Sequence, residues 1–321
     1  MGSPTTPWSL TSHLLASQED LYKSATQHPF LLAGAEGRLP KDILSRWLAN
    51  DRLYIHSYIR AAGQLLASID LPKAVAGSQD AFETQLVDWI AEALVAIRRE
   101  ERFFIDVAER YELGIEFGLP YLPSEGAAAA TATQDTTPSS SSSPAQKQEK
   151  LPGLVQLELI FSAVGTAPPP PASSPSSSSH IPGVAAVQAL FSSTAAPTTT
   201  PPPPLPWLEG ALTFWGTERC YLDAWSWARQ QAAEKGQDRR SHTEDADGGA
   251  LRKEFIPNWS SPEFEGFVDK LGRLIDRAVA GVLEGKAEGE EREKVKAGIL
   301  GRVEGKWRTL LEAERVFWPD V

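Results

Sequence analysis

Residues Leu39–Ile69 read LPKDILSRWLANDRLYIHSYIRAAGQLLASI. At helical spacing the side chains of Leu44, Leu48, Ile55, Tyr58, Ala62, Leu65 and Ile69 fall on one apolar stripe, which predicts a long amphipathic helix. Asp51 interrupts the stripe between Leu48 and Ile55, with Trp47 and Tyr54 on the same face. Burying a carboxylate costs several kcal/mol unless it is paired or hydrogen-bonded. A helix of this quality therefore calls for a partner to Asp51 from elsewhere in the chain.

Two later stretches carry the same interruption. From Trp207 the stripe reads Ala211, Trp215, Glu218, Leu222, Trp225, with Tyr221 one turn from Glu218. Near the C-terminus it reads Val303, Trp307, Leu310, Leu311, Glu314, Phe317, Trp318. Three acids on three helices can face one cavity lined by Trp47, Tyr54, Tyr58, Trp215, Tyr221, Phe317 and Trp318. Such a cavity suits a flat, nitrogen-rich ligand, with rings stacking on it and carboxylates accepting its N–H groups. Neighbouring carboxylates also raise one another's pKa, which sets a general acid beside a general base. The competing reading is structural: Arg60 and Arg219 neutralise these acids in salt bridges, and the aromatic rings are ordinary core.

Around these stretches the chain reads as helix throughout. A helix over Ser9–Ala25 with Ser9 as N-cap stops before His28-Pro29, since a residue preceding proline leaves the helical region. Phe30-Leu31-Leu32 forms an apolar anchor, Gly34 to Gly37 a turn, and His28 a loop residue bonding to a helix end. Further helices are expected over Asp80–Tyr111, Trp207–Ala233, Ser261–Leu283 and Glu291–Trp318. Strand alternation and hairpin turns are missing, so the body is all-α, with residues 1–122 and 207–321 packing into one bundle. Residues 123–206 are rich in Ser, Thr, Pro and Ala, including Ser139–Ser143 and Pro201–Pro204, and form a low-complexity, largely disordered insertion. Within it, the apolar islands Leu154–Val164 and Ile181–Phe191 are short helices docking on the body or segments that fold on a partner.

Bulk properties narrow the function. With 31 basic and 42 acidic residues the formal charge is −11, and Arg98-Arg99 sits among Glu92, Glu100 and Glu101 on what reads as a solvated helix face, so no nucleic-acid surface is expected. The single cysteine, Cys220, excludes an intrachain disulfide. It lies two residues after Glu218, about 200° around a helix, and reads as a small buried apolar residue. The five histidines show no metal-ligand spacing, so no metal and no cofactor are expected. No stretch spans a membrane and no secretory leader is present, which places the expectation in the cytoplasm. Met1–Thr6 fits a myristoylation pattern, and equally a floppy terminus.

The residues themselves carry a resemblance. His28-Pro29-Phe30, a Gly-rich turn, and Trp47-Leu48-Ala49-Asn50-Asp51-Arg52-Leu53-Tyr54 resemble the opening of the TenA/THI-4 family. Asn258-Trp259-Ser260-Ser261-Pro262-Glu263-Phe264 and Glu314-Arg315-Val316-Phe317-Trp318 resemble its two final helices. The resemblance covers Ser9–Leu113 and Trp207–Trp318. It implies the haem-oxygenase-like helical bundle and a hydrolase acting on a C–N bond of a thiamin-related aminopyrimidine, without metal. By position, Asp51 would hold the pyrimidine amine and ring nitrogen, Tyr54 would line the ring, and Glu314 would act as acid/base. One branch of the family uses a cysteine after a proline on the middle helix; this chain has no Pro-Cys there, and Glu218 matches the glutamate-bearing branch. Asn50 replaces the usual glutamine before Asp51. The resemblance also implies possible homo-oligomers. Two other classes compete: a non-catalytic member binding a ligand or partner, and haem chemistry with His13 as axial ligand.

Overall fold

The computed structural model describes residues 8–117, 149–165, 203–237, 240–287 and 289–321, and among these no strand occurs. The chain begins with α1 (Leu10–Ser17) and α2 (Glu19–Thr26), capped by the Ser9 hydroxyl, which accepts from the Ser12 N–H at 3.3 Å. The single helix expected over Ser9–Ala25 is broken at Gln18, whose φ of −134° and ψ of 44° leave the helical region. Just before the break the Ser17 hydroxyl donates to the Leu14 carbonyl at 2.8 Å, a local bond that competes with the helical ladder.

The apolar anchor after Pro29 is a seven-residue helix, α3 (Pro29–Ala35). His28 Nδ1 accepts from the Phe30 N–H at 3.2 Å, and Pro29 occupies the first turn where its missing N–H costs nothing. The interrupted-stripe helix is α4 (Lys41–Ala67), followed by α5 (Phe82–Tyr111). Next among the described residues come α6 (Pro152–Ser162) and α7 (Leu208–Glu234). A π-turn over Leu251–Phe255 runs into α8 (Ile256–Trp259), and α9 (Pro262–Glu284) and α10 (Glu290–Arg315) complete the bundle.

Helix α7 is the axle. It packs against α2, α3, α8, α9 and α10, and buries residues around most of its circumference. Gly216 lets Trp307 and Leu310 of α10 approach closely, and Gly210 does the same for Leu65 of α4. The π-turn is pinned by Arg252, whose Nε donates to Asp245 Oδ2 at 2.7 Å while both side chains are buried. Asp247 accepts from the Gly249 and Leu251 N–H groups at 2.9 and 2.8 Å, and the Ala246 N–H donates to the Gly37 carbonyl at 2.9 Å. This latch ties the segment that presents Phe255 and Trp259 to the turn preceding α4.

Helix α6 is the first apolar island, and it is core. Leu154, Leu157 and Phe161 are buried, and α6 packs between α4 and α10. The Gly153 N–H donates to the Val316 carbonyl at 3.1 Å, and a Cβ at Gly153 would overlap the backbone of Ala313 and Phe317. Asn50, fully buried, accepts from the Leu151 N–H at 2.8 Å, so the residue that departs from the expected glutamine anchors α6. The segment 123–206 thus holds a bundle helix in its middle. The second island, Ile181–Phe191, and the myristoylation pattern at Met1–Thr6 lie outside the described residues. No described helix is long and apolar enough to cross a membrane.

Two glycines test this packing. Gly153→Ala is expected to lower unfolding free energy by about 1–3 kcal/mol, the usual range for forced overpacking. Gly63→Ala, in mid-α4 with open space around it, is expected to raise it by about 0.5–1 kcal/mol. Urea titrations of both variants check the pair.

Candidate active site

Asp51 of α4, Glu218 of α7 and Glu314 of α10 converge. Asp51 and Glu314 are each 1% exposed, whereas Glu218 keeps an edge open to a cleft of about 820 Å³ between α5 and α9. Asp51 Oδ1 accepts from the Tyr221 hydroxyl at 2.5 Å. Both oxygens of Glu314 lack any hydrogen-bond partner. The Tyr58 hydroxyl lies beside Glu218 outside strict hydrogen-bonding geometry, and it too is buried and unpartnered.

The rings form a continuous wall. Tyr54 stacks on Tyr221 with centroids 5.9 Å apart and planes 12° from parallel. Phe161 of α6 meets Tyr54 edge-on at 5.3 Å and Tyr58 at 5.9 Å. Phe317 packs on Tyr54 and Tyr221, and Trp318 packs on Tyr221 while its Nε1 donates to the Ala25 carbonyl at 2.8 Å. Trp47 sits one layer back, among Phe30, Trp225, Phe255, Trp259 and Trp318. Trp215 faces away from this wall: it packs on Trp307, and its Nε1 would crowd a Cβ at Gly272. Its place in the expected lining is corrected accordingly, because α7 is buried on several sides and helical register alone does not choose among them.

The salt-bridge alternative fails for these acids. Arg60 donates to the Ser57 hydroxyl, and Arg219 pairs with Asp223 at 2.8 Å and Asp269 at 3.8 Å. Among the described residues no ion pair reaches Asp51, Glu218 or Glu314; what shifts them is burial, hydroxyl groups and each other. Burial pushes Asp51 up to about 8, Glu218 adds to the rise, and the Tyr221 hydrogen bond opposes it. Burial likewise pushes Glu218 up to about 7 against the stabilising effect of Tyr58. Glu314 is driven well above the carboxylate range by burial and then by Asp51 and Glu218. The result is a set of acids whose proton affinities are raised to neutrality or above and depend on one another's charge.

A fourth acid belongs here. Glu100 of α5 lines the same cleft as Glu218, and burial, Asp51 and Glu218 raise it well above its ordinary value. Its Oε1 accepts from the Trp259 Nε1 at 2.9 Å. The solvated face expected around Arg98-Arg99 is therefore wrong for Glu100 and for Glu101. Glu101 is 6% exposed and is held by Arg98, Arg52 and His56, the last at 2.9 Å. The signal was present: Ile97 and Phe104, both buried, flank Glu100 at −3 and +4, the same apolar flanking that marks Asp51. Trp259 was visible only as part of the Asn258–Phe264 stretch, with nothing local to assign it a role.

Cys220 is 2% exposed, and burial followed by the carboxyl groups of Glu314 and Asp223 raises its thiol well above the usual range. That environment disfavours a thiolate. Among the described residues no three His, Cys, Asp or Glu side chains gather closely enough to hold a metal ion. The four acids sense one another without sharing a coordination sphere.

Residues 15–100 match the profile of the TENA/THI-4/PQQC family. The crystal structure of a TenA homologue from Pyrococcus furiosus superposes with a TM-score of 0.51 at 17% identity, covering 96% of this chain and 97% of that one, which shows the shared fold. A protein of Fusarium pseudograminearum (strain CS3096) named "Probable transcription factor" is 31% identical over 114 residues, which make up 35% of this chain and 22% of that protein. The chain thus matches about a fifth of the length of that curated relative.

The raised acids have a consequence for stability. Asp51 binds its proton more tightly folded, near 8, than at its ordinary 3.8. The folded state therefore holds more protons between these values, and stability is expected to fall as pH rises from about 4 to about 8. Asp51→Asn is expected to flatten that decline and to be more stable than wild type at the upper end, as read by urea midpoints at the two pH values.

Proposed function

We propose that this protein hydrolyses a C–N bond of a thiamin-related aminopyrimidine, releasing ammonia. The observation that carries this reading is Glu314: a buried carboxyl group with both oxygens unpartnered among the described residues, near enough to Asp51 and Glu218 for their charges to raise its proton affinity. Family and fold support a thiamin-related role in general. The site's own chemistry supports the finer statement.

Asp51, oriented by Tyr221 and protonated near neutrality, accepts from the amine N–H of the pyrimidine edge and donates its own proton to the ring nitrogen. The ring lies against Tyr54, Tyr58, Tyr221, Phe317 and Trp318. With a proton affinity near 7, Glu218 is substantially ionised at neutral pH and faces the cleft from which water arrives. It takes a proton from water as the water oxygen bonds to carbon. Glu314, kept protonated by its surroundings, delivers a proton to the departing nitrogen as the C–N bond breaks, and nitrogen leaves as ammonia. Proton transfer from Glu218 back to Glu314 restores the starting state.

Among the described residues no neighbouring group donates to Glu314, so Glu314→Gln preserves shape and strands no partner, replacing one neutral polar group by another. That variant is expected to lose about 10²–10⁴-fold in turnover with little change in unfolding midpoint. An ammonia-release screen over thiamin breakdown products, run on wild type and variant, provides the test; retained turnover in the variant contradicts the mechanism. A second reading, ligand binding without turnover, draws on the match to a protein named "Probable transcription factor". A thermal shift with aminopyrimidines but no ammonia from the wild type would select it.

A further inference from the structure

Glu100 is left without a role in that mechanism, although it shares the cleft with Glu218. We infer that Glu100 is a further ligand-binding residue: with Glu218 it forms a two-carboxylate clamp at the inner end of the α5–α9 cleft that selects an aromatic ligand carrying a protonated amine over its neutral analogue. This rests on the hydrolase reading for its substrate and extends the same site outward.

The geometry supports a built clamp. Trp259 is 2% exposed, stacked on Trp225 at 5.0 Å and on Phe255 at 5.4 Å. It fixes one Glu100 oxygen through its 2.9 Å hydrogen bond, and no other described side chain bonds to that carboxyl group. The cations at the cleft are already engaged at its rim: Lys270 lies 2.5 Å from Glu92, and Arg99 lies 3.9 Å from Glu263. Neither reaches inward to Glu100 or Glu218. Deeper in the bundle than Glu218, both Glu314 oxygens are buried and unpartnered among the described residues. Buried polar atoms without partners cost free energy unless a ligand satisfies them. Phe103, Trp259, Phe264 and Phe267 wall the cleft with apolar rings. Two acids without a counter-cation, set between aromatic faces, fit a flat ring bearing an ammonium group: its charge supplies what the pair lacks, so the acids release protons to solvent as it binds, and an ammonium bonds a carboxylate more strongly than a hydroxyl does.

The competing role is structural, in which Glu100 serves only as an acceptor for Trp259. Glu100→Gln separates the two, because its amide oxygen still accepts from Trp259 while the group can no longer ionise to meet a cation. Calorimetry on the full chain with benzylamine and benzyl alcohol reads the clamp without requiring a pyrimidine. Wild type is expected to prefer the amine by about tenfold or more, and Glu100→Gln to lose about tenfold of amine affinity while alcohol affinity stays unchanged. Trp259→Phe is expected to give a smaller loss confined to the amine, since it frees the carboxylate without removing it.

An amine preference unchanged in Glu100→Gln, equal weakening of both ligands, or no amine preference in wild type would each overturn the inference. Preference that depends on Glu100, without ammonia release from any aminopyrimidine, would sink the hydrolase reading and leave the clamp standing. Turnover of aminopyrimidines with unchanged KM in Glu100→Gln would do the reverse.

Discussion

Taking carboxyl groups out of water without supplying a cation is the constraint on which this structure turns. Asp51 and Glu314 are almost fully enclosed, and Glu100 and Glu218 are half-buried and line one cleft. Among the described residues none of the four has an ion-pair partner; hydroxyl groups, an indole N–H and the acids themselves are what surround them. In such a setting a carboxyl group keeps its proton rather than its charge. The cost of arranging this falls on folding, and it is the kind of strain a protein retains where chemistry requires it.

The rest of the bundle can be understood as the means of holding that arrangement still. Tyr221 and Tyr54 face each other in parallel, Phe161 braces both Tyr54 and Tyr58, and the Phe255–Trp259–Trp225 stack backs the cleft. These rings come from five elements, α4, α6, α7, the π-turn and α8, so the wall exists only when they are correctly packed. The buried Asp245–Arg252 pair does not touch the acids. It fixes the π-turn, a local widening of the helix often found near functional sites, and so sets where Trp259 points.

Much of this was legible in the residues, because a long amphipathic helix makes a misplaced acid conspicuous. Asp51, Glu218 and Glu314 each stand where a leucine would fit, and periodicity alone brings them forward. Glu100 escaped notice because Arg98, Arg99 and Glu101 surround it, and a local run of charges hides a register that Ile97 and Phe104 reveal. Trp215 misled in the opposite direction: on a helix buried nearly all round, an apolar neighbour of Glu218 need not face the same way. The core position of α6 was obscured by the Ser- and Pro-rich composition on either side of it. The break at Gln18 turned on one serine hydroxyl bonding to its own backbone, a detail that periodicity does not register.

Infrared difference spectroscopy of the carboxylic-acid C=O stretch tests the central claim most directly, because it counts protonated carboxyl groups without reference to any substrate. At about pH 6.5, where ordinary Asp and Glu are ionised, the wild type is expected to show protonated-acid bands, with one band missing in Asp51→Asn and one in Glu314→Gln. A wild-type spectrum with no protonated acid at that pH would contradict a desolvated, uncompensated acidic centre and the chemistry built upon it.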